Sequence, residues 1–417
     1  MKILWLSHLV PYPPKSGVQI RAYCLMTELA RHTSMDLVAF NQPRLMRNYF
    51  PDLASGLVQA QRELQRFVRN IDIFPVPAES RRFGRQLGAA RSLLSTSPYS
   101  WSWLSSVAFS ARVRSLVDAG DYDLIHVDTE ALLQHVPPGC NVPVALDHHN
   151  VESHMMLRRA QNEPDAIKAA YFRLEGKKLE RLARTEFPRL RAHVVCSEED
   201  ARRLRELAPL PRIHIAPNGV HFPAPRPAGP LPVDPVRLLF IGGLNWYPNH
   251  DAVMHLLRDI WPRLEASFPG IRLDIVGKNP APAVQALAGK HGGVTIHGFV
   301  DDIERYYAEA TAFVCPIRDG GGTKLKVVDA LAHSLPVIAH PIACEGLDLT
   351  DRCNVYHAVS AQDYVDAVGA VLGDPDSAQA IARQGYAHAR DGFSAEAIGA
   401  RLADYYSALV KEGVDQR

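Results

Sequence analysis

The chain has 417 residues, 47% of them hydrophobic and 22% charged, with a formal net charge of +1. That length exceeds one ordinary core and predicts two domains, and the composition excludes a disordered or fibrous chain. The balanced charge excludes a global pull toward nucleic acid.

In chain order, the first segment, "MKILWLSHLVPYPP", is a poor signal peptide and a good first strand. The strand candidates of the first half are Lys2–Ser7, Met35–Phe40, Ile71–Val76, Leu124–Val127, Val142–Asp147, Ala192–Cys196 and Ile213–Ala216. "FPAPRPAGPLPVDP" follows, too rich in proline for a helix or a central strand, and reads as a semi-rigid linker. The second half offers Arg237–Ile241, Arg272–Val276, Val294–His297, Ala312–Pro316, Pro336–Ala339 and Val355–His357. Runs such as "RLLFIG" and "PVIAH" are apolar on both faces, as parallel strands covered by helices must be. Strand and helix alternate in both halves, which predicts two doubly wound α/β domains with ligands at the carboxyl ends of the strands. The expected boundaries are 1–222, a linker at 223–235, 236–392, and a C-terminal helix at 393–417 that can pack on either domain.

Between Arg81 and Arg114 stand six arginines and no acid, interleaved with Phe83, Tyr99, Trp101 and Trp103. A solvated face with anchoring aromatics is the plain reading; contact with an anionic membrane or a phosphorylated lipid acceptor is the sharper one. No run approaches the about 20 apolar residues of a membrane span, so any such contact is expected to be peripheral. Six scattered cysteines without a CxxC pair suit reduced thiols in a cytoplasm.

The most informative stretch is "PIRDGGGTKLKVVDALAHSLPVIAHP". Its Gly320, Gly321 and Gly322 fall in a strand-to-helix turn, where glycine lets a ligand approach bare N–H groups. A helix over Thr323–His333 would present unpaired donors and a partial positive charge to an anion such as phosphate. Arg318, Lys324 and Lys326 add formal charge there, and Asp329 lies on the Lys326 side of the helix, where a carboxylate can take two ribose hydroxyls. A glycine turn capped by a surface helix is the plain alternative. Gly17 in "PPKSGVQ", with Lys15 beside it, and Gly243 in "GGLNWYPNHD" follow strands in the same way. His149 in "DHHN" ends another strand, and Asn218 in "PNGV" sits in a tight turn. Glu198 reads as part of a helix cap.

These segments together resemble a GT-B-fold glycosyltransferase of family 4, in the exopolysaccharide-associated branch. "KILWLSHLVPYPPKSGVQIRAYCLMTELAR" is similar to that family's first strand, glycine loop and helix, "YDLIHVD" and "LDHHNVES" to its acceptor-side strands, and "VVCSEEDARRL" and "IAPNGVHF" to later segments. "IHGFVDDIERYYAEATAFVCPIRDGGGTKLKVVDALAHSLPVIA" resembles its donor-site block. The resemblance implies two Rossmann-like domains facing a cleft and transfer of a hexosyl unit from a nucleotide-diphospho sugar to a glycan or lipid-linked acceptor. It implies retention of configuration, a departing phosphate oxygen taking the acceptor proton, and His149 near the reacting centre. Two departures stand out. The family's first donor-site glutamate is replaced by Gly321, for which Asp319 is the substitute, and its second by the shorter Asp329. The family's basic pair after the second domain's first strand is missing, which leaves Arg318, Lys324 and Lys326 to meet the diphosphate, with Thr323 beside them. No cofactor and no metal are expected, because the cleft segments hold one acid, Asp147, and Arg318 is expected to neutralise Asp319. A nucleotide-sugar epimerase of the same fold, or a non-catalytic nucleotide- or glycan-binding protein, are the alternatives.

Overall fold

The computed structural model describes residues 1–79, 84–210, 212–225, 231–244, 246–300, 302–319 and 323–414. The chain forms two compact units: Met1–Gly219 with the chain from Ile398 onward, and Val220–Ala397.

The first unit carries a wholly parallel seven-stranded sheet: β1 (Lys2–Ser7), β2 (Ser34–Asn41), β3 (Asn70–Pro75), β4 (Leu124–Val127), β5 (Val144–His148), β6 (Ala192–Val195) and β7 (Ile213–Ile215). Their order in space is β3-β2-β1-β4-β5-β6-β7. Strand alternation sends successive side chains to opposite faces. Ile3, Trp5, Leu37 and Leu124 therefore join one core, and Leu4, Leu6, Val38 and Ile125 the other. Helix Gly17–Leu29 covers the first face, started by the Ser16 hydroxyl accepting from the Gln19 N–H. The C-terminal helix Ala395–Val414 covers it too: Ile398, Leu402, Tyr406 and Leu409 are buried there, and the Tyr406 hydroxyl meets His126 Nδ1 at 2.8 Å. The pattern of this helix suits either domain; its packing on the first is a finding of the structure.

The second unit has a parallel sheet of β8 (Arg237–Ile241), β9 (Arg272–Val276), β10 (Val294–Gly298), β11 (Ala312–Cys315), β12 (Val337–Ala339) and β13 (Tyr356–His357), in the order β10-β9-β8-β11-β12-β13. Its core gathers Phe240, Ile275, Phe313 and Ile338 from the strands with Trp261, Val328, Leu331 and Tyr364 from the helices. Of the proline segment, 226–230 lie outside the described residues. On either side, the Pro223 carbonyl accepts from the Tyr386 hydroxyl at 3.1 Å and the Pro232 carbonyl from Thr311.

In both sheets the strand order reverses beside the first strand, between β1 and β4 and between β8 and β11. Connections leave such a switch point in opposite directions, which opens a crevice at the carboxyl ends of those strands. Each unit has its own.

Candidate functional site

In the second unit the switch point is framed by the turn after β8 and the helix after β11. A Cβ on Gly242 would lie 2.6 Å from the Lys326 Nζ and 2.8 Å from the Asn249 side-chain nitrogen, so this turn admits only glycine without a shift. The Gly243 carbonyl accepts from the Asn249 amide at 2.9 Å. Asn249 Oδ1 in turn accepts from the Lys326 amine, which lies 4.9 Å from the centre of the Phe240 ring. Burial pushes that amine down to about 8, against small opposing effects of Cys315 and Asp329.

The helix begins at Leu325 rather than Thr323, with Lys324 as its cap residue, and runs to Ala332. Gly320, Gly321 and Gly322 lie outside the described residues. Thr323 is partly buried and Lys324 is buried. Asp329 is held in place from behind: its carbonyl receives His333 Nδ1 at 2.7 Å, and the His333 ring stacks on Tyr307 at 3.9 Å and meets Glu304 through Nε2 at 2.9 Å. Burial pushes the Asp329 carboxyl up to about 6, partly countered by His333.

Arg318 is placed differently from its expected role. Its guanidinium makes two bonds to Asp251, of 2.8 and 3.1 Å, so its charge is met by Asp251, a partner the sequence reading did not name. The exposed Asp319 adjoins this pair in sequence. The missed partner is Asn249, inside "GGLNWYPNHD": a search for basic residues passes over an amide, although it is the group that holds the lysine.

In the first unit the carboxyl ends of β1, β4 and β5 bring together His8, Asp128, Asp147 and His149. Asp147 is fully buried and receives Arg21 through two bonds, Nε to Oδ2 at 2.9 Å and Nη2 to Oδ1 at 2.5 Å. Arg21 also donates to the Ala216 carbonyl at 2.7 Å and to Asn218 Oδ1 at 3.1 Å. Burial alone would raise Asp147; the guanidinium outweighs it and holds the carboxyl well below its usual range. Asn218 thus serves the arginine. Gly17 is the first residue of its helix, with nothing within 4 Å of a Cβ placed on it, so its position is open and not strained.

His149 is unusual: both ring nitrogens are buried and neither has a hydrogen-bond partner among the described residues. Burial drives its imidazole down to about 4, although Asp147 and Asp128 pull the other way, so the ring is neutral near pH 7. Its ring centre is 5.7 Å from that of His8. His8 and Asp128 are the residues the sequence reading missed. The Asp128 Oδ1 accepts from the His8 backbone N–H at 3.0 Å and lies 2.9 Å from His8 Nδ1, while Oδ2 accepts from the Ser7 hydroxyl at 2.6 Å. Single ligand atoms of His8, Asp128 and His149 lie within 4.8 Å of one another. The expectation of no metal, which counted Asp147 as the one acid of these segments, therefore overlooked Asp128. Both oxygens of Asp128 are already engaged, however, which favours a histidine–aspartate pair over a cation centre.

The model of "Glycosyltransferase Family 4" matches residues 14–222, and that of "Glycosyl transferases group 1" matches 235–374. The chain belongs to glycosyltransferase family 4. This glycosyltransferase has the GT-B fold of several solved structures. HepE of Anabaena, in complex with UDP and glucose, matches at a TM-score of 0.60 and 14% identity over 98% of this chain and 100% of its own. Sucrose-phosphate synthase of Thermosynechococcus elongatus matches at 0.64 and 15% over 99% and 100%. A TarM variant of S. aureus matches at 0.63 and 10% over 97% and 99%. At such identities the likeness is one of fold. No curated protein matches the chain significantly.

Proposed function

We propose that this glycosyltransferase moves a hexosyl unit from a nucleotide-diphospho sugar to a glycan or lipid-linked acceptor in exopolysaccharide synthesis, in the cytoplasm and with retention of configuration. The observation that carries the donor half of this reading is the trio of Lys326, Asn249 and Gly242 at the switch point of the second unit, with Asp329 one helical turn further on. An amine held down to about 8 gains from an arriving diphosphate, and the Asp329 carboxylate has the chemistry to accept ribose hydroxyls. In the first unit, His149 offers an acceptor hydroxyl a neutral ring with both nitrogens unpartnered among the described residues. Lys324 is the second cation we assign to the donor, while Arg318 is paired with Asp251. The reaction proposed here needs no divalent metal. HepE has been solved with UDP-glucose, which makes UDP-sugars the first donors to test.

A peripheral membrane contact belongs to the same proposal. Helices Gly84–Leu94 and Ala166–Glu186 are joined through a buried cluster in which Glu175 accepts from Lys178 at 2.7 Å and from the Ser92 hydroxyl at 3.2 Å. They leave Leu87, Leu93, Leu94, Ile167 and Leu174 exposed among basic residues, a composition that suits an anionic surface. No helix among the described residues is long and apolar enough to cross a membrane. Arg81, Arg82 and Phe83 of the basic stretch lie outside the described residues.

The test is nucleotide release from a panel of UDP-glucose, UDP-N-acetylglucosamine, GDP-mannose and ADP-glucose, with and without EDTA, and NMR of the product's anomeric centre. Release that persists in EDTA, with a product of the donor's configuration, is expected. No release from any donor, or loss in EDTA that Mn²⁺ restores, contradicts the reading.

A further inference from the structure

Helix Tyr247–His255 starts at the turn after β8 and carries Asn249, the residue that holds Lys326. Two aromatics stand in water at its start. Trp246 caps the helix, its carbonyl accepting from the Asn249 and His250 N–H groups at 3.0 Å each, and is 51% exposed; Tyr247 is 62% exposed. Adjacent aromatics left in water at the rim of a crevice mark a surface that a ligand covers. Asp251 comes one turn after Tyr247 and lies on the same face of the helix. It holds Arg318 through Nε and Nη2, which leaves the hydrogens of Nη1 without a partner among the described residues. The bond to Asp251 outweighs burial and raises the guanidinium, and Asp259 and Tyr247 add to the effect. On the far side of Arg318 is His340, which follows β12 and whose Nδ1 accepts from the Ile342 N–H at 3.2 Å. Burial, then His255 and Arg318, lower its imidazole, so the ring is neutral near pH 7 and its hydrogen is on Nε2. The carboxyl ends of β8, β11 and β12 thus bring together a flat apolar ring, a carboxylate, a guanidinium edge and an imidazole donor.

We propose that Tyr247, Asp251, Arg318 and His340 form the subsite for the sugar of the donor, and that this sugar is a neutral hexopyranose and not a hexuronate. The proposal rests on the donor reading above and involves the second unit alone. A nucleotide-diphospho sugar extends from its diphosphate in two directions. With Lys326 on the diphosphate and Asp329 on the ribose, the nucleoside runs along helix Leu325–Ala332 toward His333 and Glu304, which stand behind Asp329. The contact of Lys326 with Asn249 joins that helix to helix Tyr247–His255. The other end of the donor, its sugar, therefore lies at Tyr247 and Asp251.

The chemistry of the four groups suits a pyranose. Its C–H face packs on the Tyr247 ring, with Trp246 alongside. Its hydroxyls donate to Asp251 and accept from Arg318 Nη1 and His340 Nε2. The sequence has no glutamate at Gly321 to make such contacts. A hexuronate is disfavoured by charge: Arg318 already answers Asp251, so the sugar's carboxylate would face Asp251 and Asp259 without a cation of its own.

The experiment is calorimetry of each nucleoside diphosphate against its nucleotide-sugar: UDP with UDP-glucose, GDP with GDP-mannose and ADP with ADP-glucose, together with UDP-glucuronate. It compares the wild type with Tyr247→Ala, Tyr247→Phe and Asp251→Asn. Affinity is read and not turnover, so the acceptor and the chemistry play no part. Tyr247→Ala is expected to weaken the nucleotide-sugar about 2–10-fold and to leave the nucleoside diphosphate unchanged. Tyr247→Phe keeps the ring and should match the wild type. The wild type should bind UDP-glucuronate more weakly than UDP-glucose. Asp251→Asn keeps an acceptor oxygen but releases the Arg318 charge, so UDP-glucuronate should gain about tenfold relative to UDP-glucose. An equal loss of diphosphate and nucleotide-sugar in Tyr247→Ala, or no loss of either, overturns the subsite. So does a wild type that binds UDP-glucuronate as tightly as UDP-glucose, or an Asp251→Asn variant that does not narrow that gap. In those cases binding of the diphosphates leaves the donor reading standing. A wild type that binds neither diphosphates nor nucleotide-sugars overturns the donor reading, and the subsite falls with it.

Discussion

The two switch points treat charge in opposite ways. In the first unit the buried carboxylates Asp147 and Asp128 are matched inside the protein, Asp147 with Arg21 and Asp128 with His8 and Ser7. In the second unit the partly buried Lys326 and Asp329 have no matching charge in direct contact among the described residues, one held down to about 8 and the other up to about 6. Each shift favours the neutral form, as desolvation requires. Desolvating an unmatched charge is costly, and a site accepts that cost where an incoming ligand supplies the missing partner. By this comparison the first unit is organised to hold its own side chains still, and the second to receive an anion.

The largest effect expected from this contrast is acid sensitivity of the first unit. His126, His135, His149 and His193 are each held at about 4, against an ordinary 6.5. Their folded values are depressed, so the unfolded chain binds protons first, and the stability they contribute is present above 6.5 and lost as pH falls toward 4. Glu130, raised to about 8 by burial, works in the other direction, its contribution fading as pH rises through about 8. Four histidines outweigh one carboxyl, so the melting temperature should drop steeply between pH 6.5 and 4. A flat profile across that window would break the description of the first unit. Next in size is the buried ion pair. Arg21→Met strands Asp147 and should cost about 3–5 kcal/mol in a denaturant titration, whereas a loss below about 1 kcal/mol, typical of a surface pair, would show that the charges are not matched as described. The smallest effect belongs to Gly17→Ala. With open space for a Cβ and no positive φ, it should leave stability within about 0.5 kcal/mol or raise it slightly. A larger loss would mean that the start of this helix is more tightly packed than the open space around Gly17 implies.

The thirteen strands among the described residues are legible in the sequence, most of them because parallel strands covered on both sides are continuous apolar runs. At three of the ends that differ, in β5, β11 and β12, proline decides. β5 starts at Val144 because Pro143 has no N–H to donate, β12 starts at Val337 after Pro336, and β11 stops at Cys315 before Pro316. Site residues were legible where the chemistry is local. Lys326 and Asp329 stand together on one short helix that follows three glycines in the sequence, a pattern visible in a dozen residues. His8 and Asp128 are 120 positions apart, and Arg318 and Asp251 are 67 apart. Neither pairing shows until the strand order is known, which is why the dyad was missed and Arg318 was read as an open cation.

The central claim is that the second unit keeps Lys326 short of its full charge until a diphosphate arrives. Calorimetric titration of UDP at pH 8 in buffers of different ionisation enthalpy, such as Tris and HEPES, tests it most directly. At a pH equal to the free enzyme's value of about 8, half of the Lys326 amines are neutral. Binding should therefore take up about half a proton per UDP by linkage, and Lys326→Met should abolish that uptake and weaken UDP by about 1–3 kcal/mol. Binding heats that are the same in both buffers, or an uptake that survives in Lys326→Met, would contradict the account.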